Sequence, residues 1–183
     1  MTATGCYLNA VGTLSAAGDS AASIRQRLQG SVTDLTMTDT YSTGVSLPIG
    51  LYHGTLPEIS LPEPRWQSRN NQFALAALNQ IQAEVTEAVH KYGSHRVGVV
   101  IGTSTSGIAE SEACIRHWVN TEEVPLNYDY GLQEMGATSQ FIARVSGAQG
   151  PAYGISTACS SGAKALATAR RLIRSGICDA VIA

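Results

Sequence analysis

Cys159 is the residue of this sequence whose type and surroundings point most directly to chemistry. It stands in the run STACSSG (residues 156–162), in which every neighbour is small. A cysteine at the start of a helix faces unpaired backbone N–H groups and the positive end of the helix dipole, and both favour the thiolate. The same N–H groups can hold a developing oxyanion. The segment predicts a nucleophile that attacks a carbonyl carbon, although a buried structural cysteine fits the same pattern.

The other nucleophilic or titratable candidates carry weaker signals. No CxxC pair or ligand cluster is present, so the sequence predicts no metal site and no cofactor. Lys164 is placed off the Cys159 face of the helix that follows, and we expect it to be structural. We expect the remaining cysteines to be small core residues and the histidines to be solvated or satisfied in the core: Cys6, Cys114, Cys178, His53, His90, His95 and His117.

A glycine-rich loop, GTSTSG at residues 102–107, directly follows an apolar run. Phosphate-binding loops of this length end in Gly-Lys-Ser or Gly-Lys-Thr, and this loop does not. We therefore exclude a nucleotide phosphate site here.

Short apolar segments predict the strands that position Cys159. The clearest is 97–101, closed by Gly102, which is typical of a buried parallel strand. Segments 180–183 and 152–156 are also predicted strands, and 5–10 is a further candidate. The strand–helix–strand order of 152–183 predicts a right-handed βαβ unit. Cys159 then lies at the carboxyl end of a strand, where parallel α/β sheets place their chemistry.

Helical periodicity is clearest before and after the first of these strands. Apolar residues at spacings of three and four predict one long helix over 69–92, begun by Ser68 and ended by Gly93. A second helix follows Cys159 and ends at Gly176, with arginines in its last turns. Weaker periodic patterns predict two further helices, over 108–119 and 138–146. Residues 31–65 lack helical periodicity, and we expect them to form loops and short strands that cover an edge.

The composition fits one α/β domain with a substantial core. Of the 183 residues, 44% are apolar and 14% are charged, a balance typical of well-buried domains. The net charge of −2 gives no support for binding to nucleic acid or membranes. No stretch approaches the roughly 20 apolar residues of a membrane helix. Residues 1–8 lack the pattern of a signal peptide, so we expect a cytoplasmic protein with reduced thiols.

A resemblance to a known family covers nearly the whole chain. Residues 150–166, GPAYGISTACSSGAKAL, resemble the nucleophile motif of β-ketoacyl-acyl-carrier-protein synthases, and the likeness continues through 167–183. Upstream, residues 99–103 resemble the family's strand and glycine-rich turn, and Arg65 with 69–77 resembles the start of its long helix. Residues 11–15 are a looser match to its opening strand. The resemblance is most specific over 150–183.

The resemblance implies the thiolase-like fold, an α/β architecture with a mostly parallel central sheet and helices packed on it. Residues 1–183 would form its N-terminal domain. The family transfers an acyl group from acyl carrier protein to its cysteine, here Cys159, and condenses it with malonyl-carrier protein with loss of CO₂. These reactions serve fatty acid, polyketide or polyene synthesis. The family's glycine-rich turn lines the acyl pocket, and its gating position falls near Thr105, where glycine or an apolar residue is more usual.

The resemblance also implies a homodimer or heterodimer. In the family the strand before the nucleophile, here about 152–156, pairs with its copy across a two-fold axis, and 138–145 would pack in the same interface. Two histidines that assist condensation lie in the family's C-terminal half. The sequence stops at Ala183 inside an apolar segment, so we expect it to be part of a longer protein. We also expect residues 1–183 alone not to catalyse condensation.

Three alternatives remain open. A thiolase-fold enzyme that uses coenzyme A thioesters would share the cysteine, but the run TACSSG at 157–162 favours the carrier-protein type. A non-catalytic chain-length partner subunit of a ketosynthase heterodimer would usually lack the cysteine. A purely structural α/β domain would have no need of the motif.

Overall fold

A three-stranded parallel sheet forms the centre of the structure, a computed structural model that describes residues 5–30 and 35–183. Its strands are β3 (Val97–Gly102), β4 (Ala152–Ile155) and β5 (Ala180–Ile182), with β3 in the middle. In the register, Val99 lies opposite Ala152 on one side and Ile182 on the other. The strands predicted at 97–101, 152–156 and 180–183 are confirmed.

Helices cover both faces of the sheet, which is why β3 reads as an unbroken apolar run. Successive side chains of a strand point to opposite faces, and Val99 and Val100 are both fully buried. The Val99 face meets α2 (Arg69–Asn79), α3 (Gln82–Tyr92) and α5 (Ala137–Ser146), whose buried residues join one core cluster. The Val100 face meets Ala165 and Leu172 of α6 (Ser161–Arg174) and Cys178 of the loop that follows α6.

The predicted helix boundaries are largely confirmed. Ser68 caps α2 by accepting a hydrogen bond from the Asn71 N–H at 3.2 Å, and Gly93 ends α3 with a positive φ of 84°. The helix predicted over 108–119 is α4 (Ile108–Thr121), and that predicted over 138–146 is α5. The helix that follows Cys159 is α6.

The single long helix predicted over 69–92 was wrong, because the chain breaks between α2 and α3. Ile81 leaves the helical conformation, with φ −122° and ψ 18°. The preceding Gln80 side chain accepts from the Thr13 N–H at 3.1 Å and donates to the Thr13 carbonyl at 2.9 Å. The break therefore docks the N-terminal segment onto the end of α2, a tertiary contact that periodicity cannot reveal.

The N-terminal part of the chain departs most from the predictions. Residues 5–10 form no strand, and Tyr7 and Leu8 are exposed, so an apolar segment without a neighbouring strand did not become one. The segment leads to α1 (Ala21–Gln29). Of the region 31–65, residues 31–34 lie outside the described part. The remainder contains the antiparallel pair β1 (Thr36–Thr38) and β2 (Leu47–Ile49), in agreement with the predicted loops and short strands.

Candidate active site

Cys159 lies in a single 3₁₀ turn, Ala158–Ser160, that joins the carboxyl end of β4 to the start of α6. This is the strand-to-helix position that the sequence predicts. Residues 156–160 are all exposed, so the thiol is open to a substrate. Ser160 precedes α6 without a side-chain hydrogen bond to its first turn. The positive end of the α6 dipole therefore faces the same surface as Cys159.

The residue before Cys159 holds a strained backbone. Ala158 has φ 51°, in the left-handed region that costs an L-residue with a Cβ about 1–2 kcal/mol. Such strain persists where the surrounding structure imposes it, and it clusters at functional sites. The next residue, Cys159, is exposed.

Two serine hydroxyls close the turn around Cys159. The buried Ser161 hydroxyl accepts from the Thr157 N–H at 2.9 Å and donates to the Ala158 carbonyl at 2.7 Å. The exposed Ser160 hydroxyl donates to the Thr157 carbonyl at 2.9 Å. These local bonds substitute for helix and sheet partners. From the sequence both serines were recognisable only as small neighbours of Cys159, and their closeness to a strand end was the signal for this role.

The end of β3 supports the turn from below. A Cβ on Gly102 would lie 2.6 Å from the Gly162 nitrogen and would also collide with the Ser161 carbonyl. Only glycine permits this close approach of strand and helix. The Thr103 N–H donates to the Ile155 carbonyl at 3.0 Å and so extends the parallel ladder one step beyond Gly102.

The Thr105 turn, residues 103–107, continues from β3 at the same edge of the sheet. The Thr103 hydroxyl donates to the Thr105 carbonyl at 2.8 Å and accepts from the Thr105 N–H at 3.1 Å. Thr105 is exposed, whereas Ser106 and Gly107 are buried. Thr105 thus lies beyond the carboxyl end of β3, at the edge of the sheet where Cys159 follows β4.

A third segment, residues 130–136, packs against both of these features, and we call it the wall segment. A Cβ on Gly154 of β4 would collide with the Met135 carbonyl. At the other end, a Cβ on Gly107 would lie 2.8 Å from Cδ2 of Leu132. The wall segment therefore contacts the strand that leads to Cys159 and the end of the Thr105 turn. Nothing in its sequence pattern had marked it.

Comparison with known proteins identifies the family. A family model for the N-terminal domain of β-ketoacyl synthases matches residues 56–183. The chain belongs to the β-ketoacyl synthase family. It is 36% identical to the ketosynthase ApeO of Xenorhabdus doucetiae, whose structure is solved in complex with its chain length factor ApeC, with a TM-score of 0.87 over 96% of this chain. It is also 31% identical over 142 residues, 73% of this chain, to a polyketide β-ketoacyl synthase of Streptomyces virginiae.

A further structure shares the fold alone. The β-ketoacyl synthase of Burkholderia phymatum superposes with a TM-score of 0.67 over 92% of this chain, at 18% identity. The predicted fold class is confirmed by these neighbours: an α/β chain with a parallel sheet, similar to the thiolase-like fold of ketosynthases. This chain spans 32% of the Streptomyces synthase, 45% of ApeO and 43% of the Burkholderia chain.

The remaining cysteines of this β-ketoacyl synthase chain differ from Cys159 in exposure. Cys114 and Cys178 are buried in the core, as predicted, whereas Cys6 is partly exposed. Burial raises the pKa of the Cys178 thiol, which keeps it in the unreactive protonated form. Of the four thiols, Cys159 has the exposure that an acyl acceptor needs.

The histidines and Lys164 lie outside the Cys159 turn. His95 directly precedes β3, at the opposite edge of the parallel sheet from Cys159. His53 is within 3.0 Å of the Thr36 hydroxyl in the β1 region. All four histidine side chains, and that of Lys164 on α6, are exposed.

The described residues hold neither a cluster of metal ligands nor a membrane-spanning helix. In the two ranges 5–30 and 35–183, no three potential metal ligands come together. The same residues contain no helix of the length and apolarity required to cross a bilayer. Two adjoining surface grooves lie beside α1 and the end of α2, sharing Asp19 and Tyr52, and Cys159 lines neither.

Proposed function

We propose that this chain carries the acyl-accepting nucleophile of a condensing β-ketoacyl synthase. The Cys159 thiolate attacks the thioester carbonyl of an acyl-carrier protein and forms a tetrahedral intermediate, which collapses and expels the carrier thiol. Malonyl-carrier protein then loses CO₂, and the resulting carbanion attacks the acyl carbon and releases Cys159. The covalent intermediate divides one difficult step into two easier ones. The product is an extended fatty acid, polyketide or polyene chain.

The observation that carries this proposal is the exposed thiol on a strained turn at the carboxyl edge of a parallel sheet. Backbone N–H groups at the start of α6, including that of Cys159, are suited to hold the oxyanion of the tetrahedral intermediate. The presence of Cys159 argues against a non-catalytic chain-length partner, which would have no use for a nucleophile in this position. The flanking TACSSG run favours carrier-protein over coenzyme A thioesters.

Mass spectrometry of the full-length protein incubated with acyl-carrier protein tests the proposal. We expect one acyl adduct, on Cys159, and none in Cys159→Ala. Cys159→Ser should also lose turnover, because no described histidine lies in the Cys159 turn to activate a hydroxyl. An adduct on Cys6, Cys114 or Cys178 instead would remove the assignment.

The proposal extends to the histidine pair that the family's condensation step uses. His53, His90, His95 and His117 do not occupy the Cys159 turn. We therefore expect a polypeptide of residues 1–183 to accept an acyl group slowly but not to release CO₂ from malonyl-carrier protein. Release at the rate of the intact enzyme would contradict the requirement for the pair.

Thr105 is proposed to line the acyl path. Its exposed side chain stands on a turn that two hydrogen bonds of Thr103 hold in place. Replacing Thr105 by Ile or Phe should shorten the preferred acyl chain by filling space, while Cys159 acylation by a short donor continues. Unchanged product length in an active variant would count against this placement.

A dimer is proposed on the evidence of open surfaces. β4 is an edge strand of the described sheet, and unpaired edges invite pairing with another chain. In addition, α4 exposes Ile115, Trp118 and Val119, at 39%, 48% and 74%. The partner is a second copy or, as in the ApeO complex, a chain length factor. Light scattering of the full-length protein at micromolar concentration should show a dimer, alone or after addition of its partner.

A further inference from the structure

Arg65 lies outside the Cys159 turn, in the 3₁₀ turn Pro64–Trp66 that precedes α2. Its Nη2 donates to Oε1 of Gln140 at 2.8 Å and to Oε2 of Glu134 at 3.3 Å. The guanidinium also stacks 4.6 Å from the centre of the Trp66 ring. Arg65 thus links the turn before α2 to Gln140 in the first part of α5. It also links that turn to Glu134, which directly follows the 3₁₀ turn of the wall segment.

The aliphatic part of Arg65 packs directly on the wall segment. A Cβ on Gly131 would lie 3.0 Å from Cβ of Arg65 and 3.1 Å from its Nε. The Nε atom is buried and has no hydrogen-bond partner, so packing against Gly131 takes precedence over satisfying that donor. Arg65 therefore supports the wall segment by shape as well as by charge.

The opposite side of the wall segment touches the site. Leu132 packs on Gly107, at the end of the Thr105 turn, and the Met135 carbonyl packs on Gly154 of β4. Leu132 is buried, with 2% of its surface exposed, so it transmits a displacement instead of absorbing it. Arg65 and the Thr105 turn are in this way held on two sides of the same segment.

We propose that Arg65 is a positioning residue that clamps the wall segment against the Thr105 turn and thereby narrows the acyl chain lengths accepted at Cys159. The inference rests on the proposed function, because it concerns the acyl path to Cys159. Arg65 acts through Leu132 and Gly107 and does not touch the acyl group.

The geometry separates the role of the guanidinium from that of its charge. A partly exposed ion pair with Glu134 contributes little by itself. The flat guanidinium does more, because its Nη2 reaches Gln140 and Glu134 while the group stacks on Trp66. A lysine would keep the charge and one donor nitrogen but lose the stacking.

The test compares Arg65→Met, Arg65→Lys and Glu134→Gln in the full-length enzyme with any partner subunit that it requires. Arg25→Met serves as the control, since Arg25 is an exposed arginine on α1, away from the wall segment and α5. Two quantities are measured: the distribution of product chain lengths, and the rate of Cys159 acylation by a short acyl-carrier protein. We expect Arg65→Met to broaden the distribution, Arg65→Lys to do so partly and Glu134→Gln least. The acylation rate and the control should match the wild type.

Each contrary outcome has a distinct meaning. An unchanged length distribution in active Arg65→Met and Arg65→Lys overturns the positioning role. A raised KM for the carrier protein with unchanged product lengths also overturns it and identifies Arg65 as a docking residue. If Arg65→Met does not fold, as thermal unfolding would show, Arg65→Lys and Glu134→Gln decide the question. Absence of acylation in the wild type refutes the proposed function instead.

Discussion

The two ends of α6 belong to one βαβ unit, but the cysteines beside them differ in exposure and surroundings. At its amino end, Cys159 is exposed, follows the strained Ala158 and is surrounded by small polar residues. At its carboxyl end, Cys178 has no exposed surface and packs beneath β3. Both cysteines lie at junctions between α6 and a strand of the same sheet, so position in the fold alone does not decide which is reactive.

The carboxyl end is held by a dense set of bonds. Nε of Arg96 donates to Oδ2 of Asp179 at 2.7 Å, and Nη1 donates to the carbonyls of Gly176 and Ile177 at 2.7 and 3.1 Å. These contacts tie the loop after α6 to the start of β3. One end of the helix is thus anchored, while the other carries backbone strain and an exposed thiol, as proteins tend to do at functional sites.

The largest expected contrast is in thiol reactivity. Under native conditions iodoacetamide should modify Cys159 at least about 10³-fold faster than Cys178, because a buried thiol reacts only after the structure opens at a cost of several kcal/mol. Timed alkylation followed by peptide mass spectrometry measures both rates. Denaturant should bring the two rates together. Comparable rates in the native protein would erase the distinction between the two ends.

The glycines beneath and within the start of α6 should behave oppositely. Gly102→Ala places a Cβ against the Ser161 carbonyl and the Gly162 nitrogen, and should destabilise the fold by about 1–3 kcal/mol. Gly162→Ala is the matched control, since a Cβ there meets nothing within 4 Å. It should be neutral or stabilising by up to about 1 kcal/mol, since alanine is the better helix former.

For both glycine variants, urea unfolding measures the free energy of unfolding, and an acylation assay measures the rate at Cys159. In Gly102→Ala, acylation should slow along with the loss of stability, because the clash is with the backbone next to the nucleophile. Equal stability of the two variants would show that strand and helix are not in close contact.

The two serines of the turn should be separable by substitution. Ser161→Ala removes a buried hydroxyl that bridges the Thr157 N–H and the Ala158 carbonyl, and should cost about 1–2 kcal/mol. The exposed Ser160→Ala is the control and should cost less, because water can replace its bond. Chemical denaturation gives the free energies of unfolding. If Ser160→Ala were the more damaging variant, Ser161 would not be the residue that closes the turn.

The smallest expected effect is the pH dependence of the anchored end. The hydrogen bond from Arg96 holds the pKa of Asp179 below its ordinary range. A carboxylate with a lowered pKa stabilises the fold above its unfolded pKa of about 4, and this stability is lost as pH falls through the folded-state pKa. Asp179→Asn should therefore be less stable than the wild type at pH 7, and the gap should narrow in acid.

Unfolding experiments at neutral and acidic pH measure that gap, with Glu87→Gln on the exposed side of α3 as the control. A gap that persists unchanged in acid would mean that the carboxylate charge is not its source.

Local sequence signals predicted much of the fold. The apolar run at 97–101 identified β3, and Ser68 and Gly93 marked a helix start and end that the structure confirms. The position of Cys159 between a strand and a helix was also predictable, since it needs only the βαβ pattern around it.

Tertiary contacts account for what the sequence could not predict. The break at Gln80 contains neither proline nor glycine and is matched to Thr13, a residue far away in the chain. The left-handed φ of Ala158 has no marker either, because alanine is not a residue that favours it. The support of Arg65 for the wall segment depends on Gly131 and Gln140, which become its neighbours only on folding.

Because β3 is the middle strand, the three-stranded sheet is incomplete until β5 has been synthesised. Arg96 and Asp179, which join the first and last of these strands, are 83 residues apart. At about 5–20 residues per second, their meeting is delayed by on the order of ten seconds after Arg96 is made. Cys159 is synthesised within that interval. The nascent chain therefore carries the Cys159 thiol before the sheet beneath it is complete, and the edge of β3 that later pairs with β5 stays unpaired throughout that time.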